Sequence, residues 1–184
     1  KGGGPLDRLG CLRALALDKT VTLTEAKPRV TDVRPYNGTL EKERLRVAVA
    51  TDQLCDHPLA EAVVRYGQEH LDGRPLRAAT DLESITGRGI RASLGGVPVY
   101  IGKDTLFDDI DGPSLPDALR ETVESLESEG RTTMIVCKGG TYLGVIGLAD
   151  TPRDAAAGVV EQLRQTGIRR MVMLSGDNQR VVDA

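Results

Sequence analysis

Residues 12–24 read LRALALDKTVTLT, and this stretch decides the fold. Residues 12–17 form a short apolar run that stops at an acid, Asp18. Such a run reads as a buried strand of an α/β sheet. An Asp at the tip of a buried strand is held rigidly on one side and open on the other. That placement suits a carboxylate nucleophile attacking phosphorus in line. It also suits a plain turn, with the Asp capping the chain as it leaves the strand. Lys19 can offset charge, and the hydroxyls of Thr20, Thr22 and Thr24 can bond phosphate oxygens.

The far end of the chain repeats the pattern. Residues 169–174, RRMVML, form a second apolar strand followed at once by Ser175-Gly176-Asp177-Asn178. The helix before it, DAAAGVVEQLRQTG, is closed by Gly167. In an open α/β sheet, ligands gather at the carboxyl ends of the strands. The two strands are therefore predicted to lie parallel and adjacent, which brings Asp18 and Ser175 to one edge. Between them, residues 33–147 read as a separate α+β unit. The expected architecture is a partial parallel α/β sheet interrupted by an inserted α+β domain with an antiparallel sheet. Its boundaries are 1–32, 33–147 and 148–184.

Leading into the insertion, residues 29–35 alternate as a strand, and Asn37-Gly38 marks a turn. Residues 40–50 have helical periodicity, with Leu40, Leu45, Val47 and Ala48 apolar, and Pro58 opens a second helix carrying Leu59, Ala62, Val63 and Tyr66. LRAATDLESI, GIRASL and VPVYIG then suggest an antiparallel meander. A charged helix over 115–129 ends at Gly130, and TTMIVC and TYLGVIGL form a hairpin about Lys138-Gly139-Gly140. The opening KGGGPLDRLG is glycine-rich and then briefly helical.

Composition sets limits. Apolar residues are 40% and charged residues 28% of 184, an ordinary globular balance. One Phe and no Trp mean that the cores are built from Leu, Val, Ile and Ala. A net charge of −3 argues against nucleic acid as a partner. No apolar run approaches the roughly 18 residues of a membrane span. Cys11, Cys55 and Cys137 are odd in number and far apart. That spacing fits a reducing compartment and supplies neither a disulfide framework nor a zinc site. The chain starts at Lys1 with no signal peptide, and it is expected to be a segment of a longer protein.

Asp18-Lys19-Thr20-Val21-Thr22-Leu23-Thr24 resembles the D-K-T-G-T-L-T phosphorylation motif of P-type ATPases, members of the haloacid dehalogenase superfamily, at six of seven positions. Its flanks, KGGGPLDRLG and EAKPRVTDV, are similar to those of the heavy-metal-transporting branch. The resemblance implies that Asp18 becomes an aspartyl phosphate and that Asp18 and the Thr20 carbonyl hold magnesium. Val21 departs from the family's Gly. A β-branched residue there could cost ~1–3 kcal/mol in strain and obstruct phosphate.

Cys55-Asp56-His57-Pro58-Leu59-Ala60 reads by itself as a helix start, with Asp56 near the cap. It resembles the family's His-Pro motif, which implies that His57 packs near the adenine of ATP. The positive end of a helix dipole disfavours imidazolium, and a neutral ring can stack on a purine. Asp52 falls where the family has a Glu, able to accept from the adenine amino group. Gly87-Arg88-Gly89, by itself a turn between strands, is similar to the family's G-x-G, and Gly102-Lys103 falls on its later Gly-Asn. Lys103 gains a charge there that favours phosphate over ribose. Asp150-Thr151-Pro152-Arg153 resembles the hinge back into the phosphorylation domain. Ser175-Gly176-Asp177-Asn178 is similar to T-G-D-N, which implies catalytic roles for Ser175, Gly176 and Asp177 beside Asp18, Lys19, Thr20 and Thr22.

Taken together, the resemblance implies the ATP-binding and phosphorylation segment of a heavy-metal-exporting pump at the cytoplasmic face of the cell membrane. ATP and Mg2+ would be its cofactors. Its partners would be the pump's own transmembrane and actuator domains, with the transported ion bound elsewhere. The flanks favour zinc, cadmium or cobalt over copper. Two other classes stay open. One is a soluble phosphatase of the haloacid dehalogenase type. The other is a catalytically dead nucleotide-binding module, because of Val21.

Overall fold

The structure, a computed structural model, describes residues 11–73, 76–110 and 112–175. The short helix expected within residues 1–10 lies outside them. Among the described residues the order is β1 (Ala14–Asp18), β2 (Thr24–Pro35), α1 (Glu41–Asp52), α2 (Pro58–His70), β3 (Thr80–Ile85), β4 (Gly89–Leu94), β5 (Val97–Gly102), α3 (Asp117–Ser128), β6 (Thr132–Lys138), β7 (Thr141–Pro152), α4 (Ala156–Gln165) and β8 (Arg170–Leu174). β1 and β8 form a two-stranded sheet, and the other six strands form a second sheet in the order β2-β7-β6-β5-β4-β3. The chain divides into two compact units. One is Pro28–Ala149, and the other takes in residues 11–27 and 150–175.

In the Pro28–Ala149 unit, β3 to β7 pair antiparallel in succession along the sheet. Side chains alternate between its two faces. Ile101, Val99, Met134, Val136 and Ile146 pack with α1 and α2, whereas Ile135, Cys137, Tyr142 and Val145 pack with α3 and the Leu106–Phe107 turn. The alternation slips by one residue in β7, at a bulge where Val136 pairs with Gly144 and Cys137 with Tyr142. An extra residue of this kind flips the facing of everything beyond it. Cys137 is a core residue whose thiol is pushed up to about 11 by desolvation, so it is not a nucleophile.

α1 is sealed on more than one side. Its residues from Arg44 to Asp52 are buried except Arg46, because the helix packs on β4, β5 and β6 and also against α2. Leu40, counted above as an apolar helix position, instead precedes the helix as its N-cap and is 72% exposed. LRAATDLESI also shortens, since only Thr80–Ile85 is strand.

The second unit is thinner. β1 and β8 pair parallel, Ala14 with Arg170 through Asp18 with Leu174. β1 was expected to be a buried strand, but its residues alternate between exposed and half-buried. The physical reason is coverage: among the described residues this sheet has two strands, and α4 buries none of its residues. Leu12, Val159, Val172, Met173 and Leu174 stay exposed.

Candidate functional site

α2 begins where the sequence asks it to. Pro58 occupies the first turn, and His57 is the N-cap with extended backbone. The cap is the imidazole itself: the Leu59 N–H donates to His57 Nδ1 at 3.2 Å. Asp56, the capping residue suggested by the sequence, is not used in this way. The bond makes Nδ1 an acceptor, so the neutral ring carries its proton on Nε2. His57 is exposed, with its ring fixed by the cap rather than by a core.

Asp52 closes α1 just before this loop, and its carbonyl accepts from the Cys55 N–H at 3.0 Å. The residue is 1% exposed, and among the described residues neither carboxyl oxygen has a hydrogen-bond partner. Desolvation pushes the carboxyl up to about 8. A carboxyl sealed in this way is held in its neutral form, and a ligand would reach it only if the surrounding chain moved.

The glycines have a structural reason of their own. Gly89 and Gly102 pair across β4 and β5. A Cβ on Gly89 would lie 2.2 Å from the Ile101 carbonyl oxygen, and one on Gly102 2.2 Å from that of Arg88. No side chain fits at either position without moving backbone. Gly87, by contrast, faces open space at φ +73. The Lys103 N–H donates to Arg88 O at 2.8 Å. Gly87, Gly89, Gly102 and Lys103 are thus gathered at one edge of the β4–β5 pair, and Lys103 is exposed there.

In the other unit Asp18 is the last residue of β1, opposite Leu174, so Ser175 follows at the same strand ends. Lys19–Leu23 makes a single wide turn, closed by Thr24 N–H to Lys19 O, and the Asp18 side chain makes no capping bond to it. Thr22 is exposed. The side chains of Thr20 and Val21, and all of Gly176 and Asp177, lie outside the described residues.

Asp150 opens the Asp150–Arg153 run that resembles the hinge back into the phosphorylation domain. It lies inside β7, which runs on to Pro152. Its carboxylate accepts from Thr24 Oγ1 at 2.5 Å and from the Lys27 N–H at 2.9 Å, while Arg153 N–H donates to Leu23 O at 2.9 Å. The turn after Asp18 is therefore braced by the returning strand. Two further features were missed. Arg44 is fully buried and, among the described residues, donates no hydrogen bond from its guanidinium nitrogens, and Arg88 pairs with Asp109. The signal for Arg44 was present: Arg44, Ala48 and Asp52 share one helical stripe at i, i+4 and i+8.

Magnesium takes oxygen ligands and keeps part of its shell for water and phosphate. Asp18, with a carboxylate free of capping bonds, fits that chemistry, as does the Thr20 carbonyl. Among the described residues no group of three or more His, Cys, Asp or Glu could hold a metal ion. Nor is any helix of the described residues long and apolar enough to cross a membrane.

Residues 12–184 match the haloacid dehalogenase-like hydrolase family, and the chain belongs to it. Among its relatives are metal pumps. It is 38% identical over its whole length to a probable cadmium-transporting ATPase of Staphylococcus aureus strain MRSA252, of which it covers 26%. It is equally 38% identical to the zinc/cadmium/lead-transporting P-type ATPase of Escherichia coli K12, covering all of this chain and 24% of that one. Among solved structures, a zinc-transporting PIB-type ATPase in its E2.Pi state matches all of the chain, over 29% of its own, with a TM-score of 0.69 and 38% identity. The chain thus spans about a quarter of the length of the curated relatives it matches.

Proposed function

We propose that this chain is the ATP-binding and phosphorylation segment of a heavy-metal-exporting P-type ATPase, acting at the cytoplasmic face of a membrane, with zinc or cadmium as the transported ion. The observation that carries the reading is the pairing of β1 with β8, which sets Asp18 and Ser175 at the same strand ends within a chain that matches cadmium- and zinc-transporting pumps throughout.

In this reading ATP binds the Pro28–Ala149 unit. Asp52 accepts from the adenine amino group, His57 stacks on the purine, and Gly87, Gly89, Gly102 and Lys103 border the sugar and phosphates. The Leu59 cap holds the exposed imidazole in place, whereas Asp52 is sealed in the core and would meet adenine only after the loop before His57 opens. Asp18 then attacks the γ-phosphorus. A bond forms from its carboxylate oxygen, the bond to the β,γ-bridging oxygen breaks, and ADP leaves. Magnesium, when bound at Asp18 and the Thr20 carbonyl, supplies charge neutralisation for the phosphoryl oxygens. Lys19 adds positive charge, and Thr22, Ser175, Gly176 and Asp177 hold the phosphoryl group and its surroundings. The Asp150 brace keeps the turn after Asp18 in one geometry. The acyl phosphate drives the transmembrane and actuator domains of the intact pump.

Full-length protein incubated with γ-labelled ATP and magnesium tests this. A labelled, alkali-labile phosphoenzyme that vanishes in Asp18→Asn is expected. Label retained in Asp18→Asn contradicts the assignment. Label appearing only after Val21→Gly would instead make the natural chain a nucleotide-binding module without phosphoryl transfer.

A further inference from the structure

Arg88 stands between Gly87 and Gly89, and its backbone is tied on both sides. Its N–H donates to Ile85 O at 3.0 Å, and its carbonyl accepts from the Lys103 N–H at 2.8 Å. These bonds set the residue at the tip of the β3–β4 connection, next in space to Lys103. Its guanidinium pairs with the carboxylate of Asp109, in the stretch after the Asp104–Leu106 turn. Both partners are substantially exposed, 43% and 64% by side chain. An exposed ion pair of this kind contributes little to stability. The cation at this edge is therefore matched by an anion that costs little to remove.

We propose that Arg88 is a phosphate contact of the nucleotide site and that Asp109 is its internal competitor. The inference rests on reading the glycine edge of β4 and β5 as the nucleotide site, and it adds a specificity for that site. The planar guanidinium fork that fits a carboxylate also fits two oxygens of a phosphate. A di- or triphosphate carries more charge than one carboxylate, so it displaces Asp109, whereas adenosine offers nothing to displace it with. Because the contact is made to phosphates common to ADP and ATP, it separates both from adenosine without separating them from each other. The ligand class is a nucleoside di- or triphosphate.

Calorimetric titration of the protein with adenosine, ADP and ATP, without magnesium and at low salt, tests this. Arg88→Gln is expected to weaken ADP and ATP about two- to fivefold and leave adenosine unchanged. Asp109→Asn removes the competitor and is expected to strengthen ADP about twofold, again with adenosine unchanged. Arg91→Gln is the control for net charge: Arg91 pairs with Glu83 and lies over the Tyr100 ring, and its loss is expected to change ADP binding less than about 1.5-fold. An ADP-to-adenosine ratio unmoved by Arg88→Gln, or lowered equally by Arg91→Gln, overturns the proposal while leaving the nucleotide site standing. No binding of any of the three ligands, or ADP binding indifferent to His57→Ala, overturns the nucleotide site, and this inference falls with it.

Discussion

The two compact units differ most in what they bury. The Pro28–Ala149 unit holds a six-stranded sheet with an apolar cluster on each face. In the unit built from residues 11–27 and 150–175, Ile168 is the one apolar side chain buried among the described residues. Five large apolar side chains remain exposed there. Burial of apolar surface is the main driving force for folding, so among the described residues the Pro28–Ala149 unit holds most of that driving force. The candidate adenine groups stand on the Pro28–Ala149 unit, and the candidate phosphoryl acceptor stands on the other. Binding and chemistry should therefore be separable by experiment.

Hydrogen exchange probes this contrast with the largest expected effect. Amides of β5, β6 and β7 should exchange at least about a thousandfold more slowly than those of β1 and β8. Protection of β1 equal to that of β6 would remove the distinction between the units.

The buried carboxyl of Asp52 sharpens the account of the larger unit. Its folded value of about 8 lies above its ordinary 3.8. Below 3.8 both states hold the proton. Between 3.8 and about 8 the folded carboxyl keeps a proton that the unfolded chain has released. This group's contribution to stability therefore falls as pH rises through that window, by on the order of 3 kcal/mol between pH 5 and 8. Urea unfolding at several pH values should show that slope, and Asp52→Asn should flatten it. A slope that survives in Asp52→Asn belongs to other groups.

Glycine substitutions compare the units directly. Gly89→Ala forces a Cβ onto the Ile101 carbonyl and should destabilise by about 2–3 kcal/mol. Gly158, in α4, has nothing within 4 Å of an added Cβ. Gly158→Ala should stabilise that helix by about 0.5–1 kcal/mol, with no effect on the midpoint of the larger unit.

Arg44 gives a related test of intermediate size. Desolvation lowers the affinity of its guanidinium for the proton, with Glu41 acting in the opposite sense. A Cβ on Gly144 would lie 2.4 Å from Arg44 Nη1, so this glycine leaves the space that the guanidinium fills. An apolar side chain avoids burying an unpaired charge. Arg44→Leu should raise thermal stability, by about 1–2 kcal/mol. A loss of stability would mean that the packing and contacts of the arginine outweigh the cost of burying its charge.

Much of this was legible in the sequence, for identifiable reasons. The parallel pairing of β1 with β8 followed from two apolar strands that each end in small polar residues and an acid. The start of α2 followed from Pro58. The cap did not, because Asp56 is the better capping residue type and His57 performs the role. Gly89 and Gly102 were readable as glycine positions, but their pairing across two strands depends on register, which a single sequence does not state. Burial of Arg44 and Asp52 was hidden by a rule of thumb that places charges outside. α1 breaks that rule because it is enclosed by both the sheet and α2. The exposure of β1 was not legible either, since an apolar strand reads as buried whatever number of neighbours it has.

The central claim is that adenine recognition belongs to the Pro28–Ala149 unit and is independent of the phosphoryl acceptor. Titration of ATP and ADP into the protein, followed by NMR or calorimetry, tests it most directly. The account predicts similar affinities for the two nucleotides and little need for magnesium. His57→Ala removes a stacking face worth roughly 0.5–1.5 kcal/mol, so affinity should fall about three- to tenfold. Asp18→Asn should leave it unchanged. An Asp18→Asn variant whose ATP affinity changes more than that of His57→Ala would contradict the account.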